Sequence, residues 1–479
     1  MFPAHVRKSK GEITVVKKSY SKLKHIHMVG IGGTGMNGIA EVLLNLGYKV
    51  SGSDITQNES TVRLAKLGAD ITIGHKADSV AGADVVVISS AVCSENVEVK
   101  EANQQKIPVI PRAEMLAELM RLKNGIAVAG SHGKTSTTSM IAQMLEAAEF
   151  DPTIIVGGRL NTLGAHAKLG EGDFIVAEAD ESDRSFLYLS PFIAVLTNLD
   201  QEHLDQYKTV DEIKNTFVNF ANKVPFYCPI ILCLDDPNLQ SLIPRLERNI
   251  ITYGFSAQAD IFARDQQFKE FGSQSTLYYQ NENIGRLKLK VPGVHSIYNA
   301  MAAVAIGLDL NIPIPVILSS LEKYAGIGRR FECKAHIDNI MVIEDYAHHP
   351  TEIIKTLEAA KRGWMRRTVV VFQPHRYSRL SFLMKEFGTA FNQADLLFLT
   401  EVYPAGEKAI PGISGEALFN EVNQFGHKNV YYEPDMNKIA ERVAEIALPQ
   451  DMILVLGAGS INKTIPDIIK RLKEKNNGS

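Results

Sequence analysis

Cysteine is scarce in this chain, with four in 479 residues. Cys93, Cys228, Cys233 and Cys333 form no Cys-x-x-Cys and show no ligand-like spacing with histidine. That usage suits a reducing cytosol and argues against a disulfide framework or a zinc site, and each thiol reads as a small core residue. Long apolar runs are missing too. None approaches the ~18 residues of a membrane span, so no membrane insertion is expected. A surplus of one charge is also absent: a net charge of −3 gives no reason to expect nucleic acid as a partner. No short-period repeat or low-complexity tract appears. What remains is an ordinary globular composition, expected in the cytoplasm, with length for about three domains.

Residues 1–24 are the exception. Arg7, Lys8, Lys10, Lys17, Lys18, Lys22 and Lys24 stand against a single acid, Glu12. The segment lacks the apolar stretch of a secretion signal and reads as a solvated basic arm.

Beyond the arm, short β-branched runs alternate with amphipathic helical stretches. "IHMVGIG", "KVSGSD", "ITIG", "DVVVISS", "IAVAGS", "FIVAEAD", "FIAVLTN" and "PIILCLDD" read as buried parallel strands. Repeated βα units of this kind predict open, doubly wound parallel sheets, an α/β fold. The alternation restarts twice. One set spans residues 25–123. A second spans 124–325 and is interrupted near 260–291 by hairpin-like sequence. A third, with "NIMVIEDYAHHP", "RTVVVFQP", "LLFLTEVY", "NVYYE" and "MILVLGAGS", spans 326–479 after a glycine- and arginine-containing linker, "YAGIGRRFE".

Two of these sets open on glycine-rich loops. "GSHGKTSTT" follows a strand and begins a helix, the context in which backbone N–H groups and a helix N-terminus converge on an anion. The usual phosphate loop has four residues between its first glycine and Gly-Lys-Thr. Here only Ser131 and His132 separate Gly130 from Gly133. Lys134 can still reach a β- or γ-phosphate, Thr135 can hold Mg²⁺, and Ser136 continues the turn. The other loop, "GIGGTGM", sets Gly30, Gly32 and Gly35 in a G-x-G-x-x-G pattern, with Asp54 ending the next strand. That spacing is a dinucleotide fingerprint, so a nicotinamide-linked oxidoreductase stays open on these residues.

Carboxylates and histidines gather at other strand ends. "VAEADESD" carries Glu178, Asp180, Glu181 and Asp183, and "LTNLDQEHLD" carries His203 and Asp205. Mg²⁺ on ATP phosphates needs a few hard oxygen ligands, and an imidazole can join them. Glu178, directly after the apolar "FIVA", is the stronger candidate. Glu181 and Asp183 read as ordinary caps or solvated charges. "EDYAHHP" and "FQPHRYSR" bring His348, His349, His375, Arg376 and Arg379 to two strand ends of the third set, where paired basic groups suit a carboxylate or phosphate.

Taken in order, "IHMVGIGGTGMNGIAEVL", "GSHGKTSTT", "VAEADESD", "TNLDQEHLD", "HSIYNAMAA", "GIGRRFE", "DYAHHPTE" and "FQPHRYSR" resemble the Mur ligases from about residue 25 almost to the C-terminus. The resemblance implies three domains: a Rossmann-like one for a UDP-sugar, a central phosphate-loop ATPase-type parallel sheet, and a Rossmann-like C-terminal one for an amino acid. It is nearest to the L-alanine-adding branch. It therefore implies ATP-dependent joining of L-alanine to the lactyl carboxylate of UDP-N-acetylmuramate through an acyl phosphate, a cytoplasmic step of peptidoglycan synthesis. A sister branch adds a recycled tripeptide instead. The chain is expected to be a monomer or weak homodimer.

By this resemblance Gly130, Ser131, His132, Gly133, Lys134, Thr135 and Ser136 cradle ATP. Thr135, Glu178 and His203 hold Mg²⁺, and Lys134, Glu178 and His203 carry catalysis. His295 and Asn299 lie against the adenine, and Arg330 and Asp345 reach ATP across the linker. Tyr346, His348, Arg376 and Arg379 form the amino-acid pocket. Gly30, Gly32, Gly33, Gly35, Asp54, His75, Ser89 and Arg112 serve the UDP-sugar. Ser131, His166, Ser296 and Glu344 depart from the residues usual in the family at those points.

Overall fold

The structure, a computed structural model, describes residues 23–477 except 90, 161–164, 183, 201–206 and 208. The basic arm, apart from its last two residues, and His203, Asp183 and Asp205 therefore lie outside the described residues. The chain divides into two compact units, residues 1–111 and 112–479.

The first unit is built on a five-stranded parallel sheet. Its order is Asp70–Ile73, Lys49–Asp54, His25–Val29, Val85–Ile88, Val109–Pro111. The strand order reverses beside His25–Val29, and the glycine loop leaves that strand at the switch point, where such sheets bind ligands. "ITIG" departs from expectation. It forms an edge strand whose residues are exposed or half-buried, because no further strand covers its outer side.

The second unit holds two sheets among its described residues. Ten strands form the first, in the order Glu282–Leu289, Gly272–Tyr279, Ile261–Lys269, Asn249–Gly254, Pro229–Cys233, Ile193–Leu196, Asn124–Ala129, Phe174–Glu178, Thr153–Leu160, Ala165–Lys168. Its middle is parallel, while the hairpin-like sequence adds an antiparallel meander at one edge rather than a separate module. Buried helices Lys134–Ala147 and Val294–Asp309 pack on each other beside it.

The last sheet has six strands, ordered Glu332–Ile337, Ile340–Asp345, Met452–Leu456, Thr368–Phe372, Leu396–Leu399, Val430–Tyr432. Strand periodicity divides its core cleanly. Val370 and Phe372 join one cluster with Leu357 and Phe387, while Val369 and Val371 join another with Ile439 and Leu472. Both faces are thus covered by helices, as a doubly wound sheet requires. Cys228 and Cys233 are buried as expected, whereas Cys93 and Cys333 are exposed: they sit on a loop and an edge strand. No described helix is long and apolar enough to cross a membrane.

Candidate active site

The short loop is shaped by its two glycines. Gly130 ends the strand Asn124–Ala129 with φ +137°, and Gly133 caps the following helix with φ +79°. A Cβ at Gly130 would meet Thr197 Oγ1 at 2.1 Å, and one at Gly133 would meet Asn299 Oδ1 at 2.7 Å. Only glycine fits either place. Asn198 completes the brace: the His132 N–H donates to its Oδ1 at 2.8 Å, and its Nδ2 donates to the His132 carbonyl at 3.0 Å. These contacts stand in for the two residues the loop lacks. The first N–H groups of the helix Lys134–Ala147, which have no partner within the helix, are left pointing at the cleft.

Lys134 and its carboxylates form a buried charge cluster. Lys134 Nζ donates to the Gly130 carbonyl at 2.6 Å and to Glu181 Oε1 at 2.8 Å. Glu181 is therefore no solvated charge: it is 2 % exposed, and burial pushes its pKa up to about 7 against the pull of Lys134. Glu178, at the end of Phe174–Glu178, accepts from the Gly157 N–H at 2.6 Å and touches the Thr135 side chain. Burial raises its pKa as well. Desolvated carboxylate oxygens beside a threonine hydroxyl at a phosphate loop are a donor set that fits Mg²⁺. The third expected ligand, His203, lies outside the described residues. Arg112 belongs to this unit and donates to Asp180 at 3.2 Å.

A cleft of about 530 Å³ runs from the loop, a size typical of small-ligand sites. His132, Gly133, Thr135 and Ser136 line one end, and Tyr253, Tyr298 and Asp235 the other. Tyr298 donates to Asp235 at 2.8 Å, and the N–H groups of Phe255 and Ser256 satisfy the same carboxylate. His295 also lines it, and burial, with Arg330 nearby, lowers its pKa to about 4. Asn299 lines the cleft too, and accepts from Thr137 Oγ1 of the helix Lys134–Ala147 at 3.2 Å. Ser296 donates to the Pro292 carbonyl at 2.7 Å, so the departure there is absorbed by the helix start.

Arg330 of the linker, Asp345 at the end of the strand Ile340–Asp345 and Glu352 of the helix Pro350–Gly363 also line the cleft. Asp345 accepts from the Phe331 and Ala347 N–H groups, each at 2.7 Å, and burial raises its pKa to about 6. Glu344 pairs with Arg329 at 2.7 Å. Next along, the Tyr346 and His348 rings lie 5.3 Å apart, and His348 lies 5.9 Å from His375. Arg379 reaches His375 Nδ1 at 3.2 Å. Burial and the neighbouring His348, Arg379 and Arg376 lower the His375 pKa to about 3. Arg376 is exposed and holds φ +70°, a strained value for a non-glycine residue.

One further cluster joins these parts. Asp200 Oδ2 lies 3.1 Å from His132 Nε2 and 3.8 Å from His349 Nδ1, and accepts from Thr351 Oγ1 at 2.7 Å. The ligand atoms of the three groups lie within 4.8 Å of one another. Burial would raise the Asp200 pKa, but bonds to His132 and Thr351 hold it below the usual carboxylate range.

In the first unit, Gly30 has φ +79° and donates to the Ser53 carbonyl at 2.8 Å, with Ser89 packed beside it. Gly33 caps the helix containing Gly35. Asp54, at the end of the next strand, accepts from the Gly32 N–H at 2.9 Å and so fastens the loop. His75 Nδ1 lies 3.0 Å from Ser53 Oγ and 3.3 Å from Glu98. Glu98 is fully buried. Burial would raise its pKa, but His27, Ser53 and the Lys76 N–H lower it to about 2. Glu98, Asp200 and Glu352 carried no sequence signal of their own, and Glu181, which read as a cap or solvated charge, is buried.

A phosphate loop with buried carboxylates, facing the cation-bearing strand ends of a second parallel sheet, defines a multi-sheet α/β enzyme that activates a substrate with a nucleoside triphosphate. The chain belongs to the Mur ligase family: the family's catalytic-domain model matches residues 25–142, its middle domain 128–307 and its glutamate ligase domain 329–459. It is 54 % identical over 454 residues to the UDP-N-acetylmuramate–L-alanine ligase of Geotalea uraniireducens, covering 95 % of this chain and 99 % of the relative. The enzyme of that name from Syntrophotalea carbinolica is 54 % identical over 442 residues, 92 % and 96 % of the two chains. The crystal structure of the UDP-N-acetylmuramate–alanine ligase of Thermotoga maritima superposes with a TM-score of 0.80 at 28 % identity, over 94 % of this chain and 99 % of that one. Membership sets aside the nicotinamide reading of the first loop.

Proposed function

We propose that this chain joins L-alanine to the lactyl carboxylate of UDP-N-acetylmuramate, spending ATP, as a cytoplasmic step of peptidoglycan synthesis. The observation that carries the reading is the meeting of two unlike sites at one cleft. The phosphate loop lines it with His132, Thr135 and Ser136, and Arg330, Asp345 and Glu352 line it from the other side; Glu352 meets His348, whose ring lies 5.9 Å from His375, the partner of Arg379. An ATP-activated carboxylate and an amino acid need such a juxtaposition. The named relatives support the single amino acid over the tripeptide.

The lactyl carboxylate attacks the γ-phosphorus of ATP, ADP leaves, and an acyl phosphate forms. Lys134, held beside the loop, stabilises the charge spread over the transferring group. Thr135, Glu178 and His203 would hold Mg²⁺, which when bound neutralises phosphate charge. The amine of L-alanine then attacks the acyl carbon; a C–N bond forms, the C–O bond breaks with its electron pair leaving on phosphate, and the nitrogen's proton is lost to solvent, leaving an amide. Arg379, with Arg376, receives the amino acid's carboxylate, His348 adds a hydrogen bond, and Tyr346 limits room for a side chain. His295, kept neutral, and Asn299 serve the nucleotide end, and Arg330 and Asp345 its phosphate side. Gly30, Gly32, Gly33 and Gly35 receive the UDP diphosphate, with Asp54, His75 and Ser89 on the sugar side.

The test is phosphate release with UDP-N-acetylmuramate and ATP fixed. L-Alanine is expected to outperform glycine, L-serine and L-alanyl-D-glutamyl-diaminopimelate. A higher kcat/KM for the tripeptide would overturn the reading.

A further inference from the structure

Glu352 touches residues on both sides of the cleft. Its Oε1 lies 3.5 Å from His132 Nδ1 in the phosphate loop and 3.6 Å from Arg330 on the linker. Its Oε2 lies 3.1 Å from His348 Nδ1 and accepts the His348 N–H at 3.0 Å. The side chain is 12 % exposed. Burial alone would raise its pKa, but His348, His132 and Arg330 hold it well below the usual range, so it is a charged acceptor. The other ring nitrogen of His132 faces Asp200 at 3.1 Å. The histidine between the two loop glycines is thus fixed from both sides by carboxylates.

Helix capping explains part of this. Glu352 is the third residue of the helix Pro350–Gly363 and completes a capping box with His349. A cap needs one acceptor oxygen turned toward the backbone. It does not need the other oxygen to meet a loop histidine and a linker arginine from elsewhere in the chain.

We propose that Glu352 is a positioning residue that couples the nucleotide loop to the amino-acid pocket. The proposal rests on the functional reading above. A nucleotide that settles the loop sets His132, through it the carboxylate, and through that the His348 ring. L-Alanine therefore binds more tightly once the nucleotide is in place, and the nucleotide more tightly once L-alanine is in place.

Glu352→Gln separates the two roles, because glutamine preserves the capping box and removes the charge. L-Alanine affinity is measured by calorimetry with UDP-N-acetylmuramate saturating, with and without a non-hydrolysable ATP analogue. In the parent protein the analogue should tighten L-alanine binding roughly tenfold, within the usual range of coupling between sites. In Glu352→Gln that gain should fall to about twofold or less, with UDP-N-acetylmuramate affinity close to the parent's. An unchanged gain in the variant overturns the proposal, and so does a parent protein whose L-alanine affinity ignores the nucleotide. Should Glu352→Gln not fold, His132→Gln reads the same link from the loop side. A parent protein that does not ligate L-alanine sinks the functional reading instead, and phosphate release shows that separately.

Discussion

Replacing Glu181 with glutamine probes the electrostatics behind the phosphate loop. Glu181 is 2 % exposed and meets Lys134 Nζ at 2.8 Å. Burial lifts its pKa from 4.5 to about 7 despite that partner. A rise of this size penalises the ionised form in the folded protein by about 3 kcal/mol. The sign follows from proton binding. Between pH 4.5 and about 7 the folded chain keeps a proton here that the unfolded chain has released. The contribution to stability is full below pH 4.5 and falls as the pH rises through about 7. It levels off by about pH 8, roughly 3 kcal/mol lower. Glutamine carries no such slope. The stability difference between Glu181→Gln and the parent should therefore move in the variant's favour by about 3 kcal/mol between acid and pH ~8. In melting temperature that is a relative gain of several degrees. Any constant offset from altered hydrogen bonds cancels, because only the pH dependence is compared. Thermal unfolding of both proteins across this range is the assay. Parallel curves would refute the reasoning.

Two further outcomes concern the reaction. Lys134→Ala should abolish ligation while calorimetry still finds UDP-N-acetylmuramate bound, because the loops proposed for the two phosphates lie in different units; joint loss in a folded variant would contradict that division. Arg379→Ala should raise the KM for L-alanine by far more than that for ATP, since a buried carboxylate that loses its cation costs roughly 2–5 kcal/mol; an equal rise in both would place Arg379 outside the amino-acid pocket.

The residues that could be read from sequence are those whose meaning is local. Gly-Lys-Thr after "IAVAG" marks a strand, a loop and a helix within a dozen positions, and the structure places them so. Val369 to Phe372 alternate between two cores because a strand alternates. Glu181 illustrates the limit. It looks like any acid in "ADESD", and its place as a partner of Lys134 exists only because a helix start and a loop 47 residues apart become neighbours. Glu352 looks like a helix-cap acid and is one; its contacts with His132 and Arg330 come from tertiary packing. "ITIG" has the pattern of a covered strand but lies at the sheet's edge, and strand order is not written in four residues.

The bonding of the linker has a mechanical consequence. The Tyr346 N–H donates to the Arg329 carbonyl at 2.8 Å, and the Phe331 N–H donates to Asp345 at 2.7 Å. Residues on both sides of Arg330 are thus riveted to the end of the strand Ile340–Asp345. Although its guanidinium lines the nucleotide cleft, Arg330 travels with the C-terminal sheet as the tip of a lever. A swing of that sheet away from the loop would draw a positive charge out of the cleft in the same stroke that widened it.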